Sequence, residues 1–183
     1  MSDATSTLVT DRLVLRRWRD TDRPGYAALN ADPEVMRHFP STMSRADSDA
    51  QVDRFEAAID ADGWGLWALE VRGTGEFIGF TGLSRPNFTA HFTPAVEVGW
   101  RLARVAWGHG YATEAARAAL GHGFGALGLD EIVSFTSAGN LRSRAVMERL
   151  DMRHDPADDF DHPNVDPASP LYRHVLYRLA RPE

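Results

Sequence analysis

Val96-Glu97-Val98-Gly99-Trp100-Arg101-Leu102 runs through Ala103-Arg104-Val105-Ala106 into Trp107-Gly108-His109-Gly110-Tyr111-Ala112-Thr113-Glu114-Ala115. The first part reads as a strand, and Glu97, set against Val96 and Val98, faces the opposite side of its sheet. The last part opens a helix, expected from Tyr111 to Leu127, and two glycines occupy the turn between them. Such a turn exposes free backbone N–H groups at a helix N-terminus, where the helix dipole adds partial positive charge, and together they make a phosphate site. A side chain in place of either glycine would hold an anion away from the backbone. On spacing alone the segment reads equally as a plain strand-to-helix connection. Two other phosphate loops fit poorly. The dinucleotide fingerprint wants a third glycine where Thr113 stands, and the nucleoside-triphosphate loop wants a lysine. The chain has no lysine; all 20 basic residues are arginine.

Outward from this turn the pattern is mixed α/β. Upstream, strands are expected at Leu8–Trp18, Gly65–Val71, Glu76–Leu83 and Ala95–Leu102, with Gly73-Thr74-Gly75 as a tight turn. Short helical segments are expected over Thr21–Leu29 and from Asp32-Pro33. A longer helix starts at Ser44, with Asp47 in a capping-box position and Val52, Phe55 and Ile59 on one stripe, and stops at Gly63. Downstream come a strand at Glu131–Thr136, a helix from Asn140 to Leu150, a loop carrying Asp155, Asp158, Asp159, Asp161 and Asp166, and a last strand at Tyr172–Leu179. In the Tyr111 helix, Ala112, Ala115, Ala119 and Phe124 lie near one face, small enough for close approach to a sheet.

The 183 residues fit one domain, 1–183, with 43% hydrophobic and 25% charged residues, an ordinary globular balance. No apolar run approaches the roughly 18 residues of a membrane span. Charges interrupt every apolar stretch in the first twenty residues, against a signal peptide, so a cytoplasmic location is expected. With no cysteine there is no disulfide, no thiolate zinc site and no cysteinyl nucleophile. A net charge of −6 argues against a nucleic-acid partner and is compatible with a cationic substrate.

Glu97-Val98-Gly99-Trp100 followed by Trp107-Gly108-His109-Gly110-Tyr111-Ala112-Thr113-Glu114-Ala115 resembles the acetyl-CoA motif of the GNAT superfamily of N-acetyltransferases, above all its RimJ/RimL-type branch. Thr10-Asp11-Arg12-Leu13-Val14-Leu15-Arg16 resembles that branch's opening strand. Asn140-Leu141-Arg142-Ser143 with Val146-Met147 resembles its second cofactor motif, and Tyr172-Arg173-His174-Val175-Leu176-Tyr177 its closing strand. The resemblance implies a strongly twisted mixed sheet of about six to seven strands, helices on both faces, and two central strands splayed around the pantetheine arm. It places Leu102, Ala103 and Arg104 on that arm through backbone. Gly108, His109, Gly110, Tyr111, Ala112 and Thr113 come to the diphosphate, and Asn140 to the cofactor arm. It implies acetyl-CoA as co-substrate, no metal, and allows a homodimer. Two positions depart from the family: Val105 replaces a frequent Gln or Arg, and Met147 replaces the tyrosine that protonates the leaving thiolate, which leaves Ser143 as the nearest hydroxyl.

The implied chemistry is attack of an amine on a thioester in a ternary complex, needing a neutral amine, an oxyanion donor and a proton for sulfur. An α-amine of pKa near 8 costs about 0.8 kcal/mol to neutralise at pH 7.4, and a lysine side chain about 4. Glu97 is the candidate base, through water, or else the ion-pair partner of an arginine such as Arg101. Ser143 is the candidate acid, or else a first-turn helix hydroxyl; Asn140 is also a natural N-cap. His109 reads as exposed beside the phosphates. Trp64, Trp67, Phe80, Trp100 and Trp107 read as core, with one or two left for an acceptor groove. The aspartate loop is either solvated or an acidic lip drawing in a cationic amine, with His162 near the acceptor. The acceptor is a protein N-terminus or a small amine such as a polyamine, an amino acid or an aminoglycoside-like amine. A non-catalytic acyl-CoA-binding module and a generic nucleotide-binding domain remain the alternatives.

Overall fold

The computed structural model describes residues 7–182, so residues 1–6, part of the stretch judged against a signal peptide, lie outside it. Its first strand is split where one continuous strand was expected: β1 (Leu8–Val9) and β2 (Leu13–Arg16) form a hairpin. Thr10 closes the turn, its hydroxyl accepting from the Leu13 amide at 3.0 Å. A 3₁₀ turn at Asp20–Asp22 leads into α1 (Arg23–Ala31). The expected helix at Asp32-Pro33 is a run of turns instead. Asp32 is extended (ψ 114°), as a residue before proline tends to be, and it ends α1 rather than starting another helix.

α2 (Arg45–Asp62) keeps its expected signals: Ser44 accepts from the Asp47 amide at 3.1 Å and donates to its carboxylate at 2.6 Å. Gly63 ends the helix in the left-handed region, at φ 77°. There follow β3 (Leu66–Val71), β4 (Phe77–Ser84), β5 (Glu97–Leu102), α3 (Tyr111–Gly125), β6 (Glu131–Ser137), α4 (Leu141–Arg149), β7 (Arg153–His154), β8 (Phe160–Asp161) and β9 (Arg173–Ala180). The sheet runs β1-β2-β3-β4-β5-β6-β9-β7, with β8 also on β9. Every pairing is antiparallel except β5 with β6. Six of these strands are four residues or longer, as expected; the two-residue β7 and β8 were not expected and turn the aspartate loop into sheet edge.

Strand alternation divides the core between two faces. Leu13, Leu15, Trp67, Leu69, Val98 and Leu102 pack with α3, whose Ala115, Ala116 and Ala119 are fully buried. Ala68 and Phe80 pack on the other face with Trp18, Tyr26, Leu29 and Val52 from the α1–α2 side. Phe92, Val133, Phe160 and Leu176 form a third cluster around β6 and β9. α3 sits close because its sheet face is small: a Cβ on Gly123 would stand 2.6 Å from Ile132 Cδ1.

Candidate active site

The parallel pair β5–β6 holds at one register point, Glu97 opposite Val133. The Val133 amide bonds the Val96 carbonyl at 2.9 Å, and the Ser134 hydroxyl bonds the Val98 carbonyl at 2.9 Å. Beyond Val98 the strands part. The alternation that turns the Val96 and Val98 carbonyls toward β6 turns the backbone groups of Trp100 and Leu102 into the opening. The Leu102 carbonyl is taken by the Trp107 indole at 2.9 Å. The Ala103 amide faces β4 instead, on the Ile78 carbonyl at 2.9 Å.

At the end of β5 the glycine turn has the geometry its sequence requires. Gly108 and Gly110 sit at φ 78° and 77°, a region costly to any residue with a Cβ. Gly110 is the N-cap of α3 and brings no side-chain cap; the first intrahelical bond runs from the Glu114 amide to its carbonyl at 3.0 Å. Among the described residues the amides of Tyr111, Ala112 and Thr113 have no partner, which suits a diphosphate. A latch fixes the turn from outside. The Glu114 carboxylate accepts from Thr10 Oγ1 at 2.6 Å, the Arg12 amide at 2.9 Å and Arg12 Nε at 2.7 Å. Arg12 Nη1 then reaches the His109 carbonyl at 2.9 Å. Against the opposing push of burial, these bonds hold the Glu114 carboxyl below the usual carboxylate range. The sequence reading missed this cluster: about a hundred residues separate its halves, and no local spacing links them.

A cavity of about 1170 Å³ joins the glycine turn, the β5–β6 opening and a pocket on the α1–α2 side. Of the expected site residues, Glu97, Leu102, Gly108, Gly110, Tyr111, Ala112, Thr113, Asn140 and Ser143 line it; Ala103, Arg104 and His109 do not. Arg104 is exposed with Asp32 at 3.6 Å, and His109 stacks on Tyr111 at 5.3 Å. Phe80, Trp100 and Trp107 border the cavity, while Trp67 is fully buried. Asn140 caps α4, accepting from the Ser143 amide at 3.3 Å. Met147 faces away, 1% exposed in the core.

Glu97 stands where the strands part and has neither an ion pair nor a hydrogen-bonded side-chain partner among the described residues; Arg101 turns to Asn30 instead, at 2.7 Å. The Glu97 residue is half-buried, because one side borders the cavity while protein closes the others. Burial pushes its carboxyl up to about 8. His162 and His174 also line the cavity, their rings 4.8 Å apart; burial lowers both, His174 to about 4.

The acidic lip does not form. Asp158 pairs with Arg178 at 2.7 Å and His91 at 3.3 Å, Asp159 with His154 at 2.7 Å, and Asp161 with Arg173 at 3.2 Å. Asp155 and Asp166 accept from the amides of Ala157 and Ala168. None of the five borders the cavity. Among the described residues no group of three or more His, Asp or Glu side chains is placed to hold a metal, and no helix is long and apolar enough to cross a membrane.

Residues 12–153 match the family model described as an acetyltransferase (GNAT) domain. The uncharacterized protein YkkB of Bacillus subtilis is 33% identical over 83% of this chain and 88% of its own length. An FsC-acetyl coenzyme A-N(2)-transacetylase of Aspergillus fumigatus is 33% identical over 82% of this chain and 66% of its own. The crystal structure of an acetyltransferase from Agrobacterium tumefaciens superposes with TM-score 0.78 at 28% identity, covering 98% and 96% of the two chains. The RimJ/RimL branch is not singled out: a RimL structure with coenzyme A superposes with TM-score 0.73 over 94% and 96% of the chains at 16% identity, a likeness of fold alone. The splayed sheet, the uncapped glycine turn and these matches agree, and the chain belongs to the GNAT family of N-acetyltransferases.

Proposed function

We propose that the protein transfers the acetyl group of acetyl-CoA to a primary amine, on a small molecule or a protein N-terminus, by direct attack in a ternary complex. The observation that carries this is Glu97, a carboxylate without a side-chain partner among the described residues, at the point where β5 and β6 part and in the same cavity as the glycine turn. The diphosphate rests on the amides of Tyr111, Ala112 and Thr113, and the arm lies along Trp100 and Leu102. Asn140 and Ser143 face it from α4. Glu97 takes the amine proton through water; a carboxylate of pKa about 8 is a far stronger base than an ordinary one and is matched to an α-amine. The amine nitrogen bonds the acetyl carbon, the carbon–sulfur bond breaks, and the Ser143 hydroxyl supplies the proton for sulfur. Assignment to the RimJ/RimL-type branch belongs to the same proposal and rests on the motifs.

Calorimetric titration with acetyl-CoA, with ATP and NAD as controls, tests the cofactor half. Micromolar binding of acetyl-CoA alone is expected; no binding reduces the glycine turn to a structural connection. CoA release with an amine panel tests the rest. One observation favours a non-catalytic acyl-CoA-binding module: Met147 replaces the usual tyrosine and is buried away from the cavity. Any amine-dependent CoA release discards that reading.

A further inference from the structure

Arg101 lies on the same face of β5 as Glu97 and ends in the cavity wall. Its guanidinium packs against the rings of Phe39 at 4.2 Å and Phe80 at 5.5 Å. Nη1 donates to Asn30 Oδ1 at 2.7 Å, with Tyr26 Oη and Gln51 Oε1 at 3.5 Å. Nε is buried without a partner, and Nη2 has none among the described residues. Among the described residues no carboxylate reaches ion-pair distance, and burial pushes the guanidinium down. Arg16 is the contrast: more fully withdrawn from water, it is held by Asp22 at 2.8 Å and Glu70 at 2.6 Å. A cation taken out of water without an anion is costly, and the cost falls when an anion arrives.

Among the described residues nothing supplies that anion. Of the two glutamates on the cavity wall, Glu34 is engaged by Arg37 and by Arg142 at 3.6 Å. Glu97 is four residues along the strand from Arg101, about 13 Å at the usual rise. The wall carries four arginines (Arg37, Arg101, Arg142, Arg149) against two glutamates. The open end of Arg101 is Nη2, which has no partner among the described residues and is not sealed off as Nε is, so its N–H groups are free to donate to a carboxylate. The Phe39 and Phe80 contacts help to hold the guanidinium plane.

We propose that Arg101 is the acceptor-anchoring residue, and that the acceptor is a small amine bearing a carboxylate, seated on Nη2 with its amine toward Glu97. This rests on the N-acetyltransferase reading above and narrows its substrate class. The test is CoA release with matched pairs, each an amino acid, an ω-amino acid or a dipeptide beside its own carboxamide, so that only the charge differs; spermidine stands for the polyamines. At least one acid is expected to exceed its amide by roughly tenfold or more in kcat/KM. Arg101→Gln should abolish that preference through KM and leave acetyl-CoA affinity unchanged. Arg101→Lys, which keeps the charge without the fork, should retain part of it. The inference is overturned if amides or spermidine serve as well as the acids, if Arg101→Gln keeps the preference, or if acetyl-CoA binds and no acid is acetylated. Should Arg101→Gln fail to fold, judged by circular dichroism, Arg101→Lys decides by whether the preference shrinks. Failure of the wild type to bind acetyl-CoA at all removes the N-acetyltransferase reading instead.

Discussion

Glu97 and Gly110 carry the most chemistry per atom, and each makes a definite demand on experiment. Glu97 has a folded-state pKa raised to about 8, above the unfolded value of about 4.3, so the fold favours its neutral form. Relative to a neutral side chain, its contribution to stability is intact below the unfolded pKa and is lost as pH rises through about 8. Glu97→Gln should therefore melt at a higher temperature than wild type at alkaline pH and at the same temperature near pH 4, as read by thermal denaturation across pH. Activity runs the other way: as a base Glu97 must be ionised, so kcat/KM should climb through the same range, and Glu97→Gln should lose both that climb and roughly 10² to 10⁴ in kcat. Equal pH profiles for the two proteins would remove Glu97 from the proton path. At Gly110, with φ 77°, an alanine costs about 1–2 kcal/mol of backbone strain and brings its methyl to 3.6 Å from Arg12 Nη2 in the latch. Gly110→Ala should weaken acetyl-CoA binding by roughly tenfold in calorimetry, with a lower melting temperature.

The site exists because one pair of strands fails to stay paired. β5 holds β4 along its whole length, from Glu97–Ser84 to Leu102–Gly79, but touches β6 in register only at Val133. The rigid side of this arrangement depends on glycine: a Cβ at Gly82 would lie 2.0 Å from the Gly65 carbonyl oxygen, a backbone atom that cannot swing away. Gly82→Ala should force β3 and β4 apart and cost about 1–3 kcal/mol or more, measured by denaturant titration. On the opposite end of the cavity, the Glu114 latch ties α3 to the β1–β2 hairpin. Glu114→Ala should leave the turn in place but loosen it, raising the Kd for acetyl-CoA with little change in acceptor KM. An unchanged Kd would show that Gly108 and Gly110 need no outside support.

Across the whole molecule, charge is spent on internal pairing more than on drawing in substrate. The negative net charge suggested a cationic acceptor, yet the aspartates of the β7–β9 loop are bonded to Arg178, His154 and Arg173, outside the cavity. Asp158→Asn with Asp159→Asn should leave acceptor KM unchanged at low salt; a rise would restore the acidic lip. The order of elements, the capped helices and the glycine turn were legible in the sequence, because propensity, capping and backbone freedom act over a few neighbouring residues. Asn140 at the start of α4 and Ser44 at the start of α2 are of this kind, as is the periodicity that buries Val52 and Ile59. The split first strand and the short β7 and β8 were not legible, since two-residue strands carry no period and exist only by pairing across the sheet. The same holds for the latch of Thr10, Arg12 and Glu114, and for the state of two charges. Nothing local says that Glu97 stands alone at the strand opening, or that Arg101, four residues on, turns to Asn30 and keeps Nη2 free. The sequence by itself determined the order of elements, the glycine turn and the motifs shared with the GNAT family; the tertiary structure decided which charges would be left without partners in the cavity, because burial and pairing are set by residues far apart in the chain.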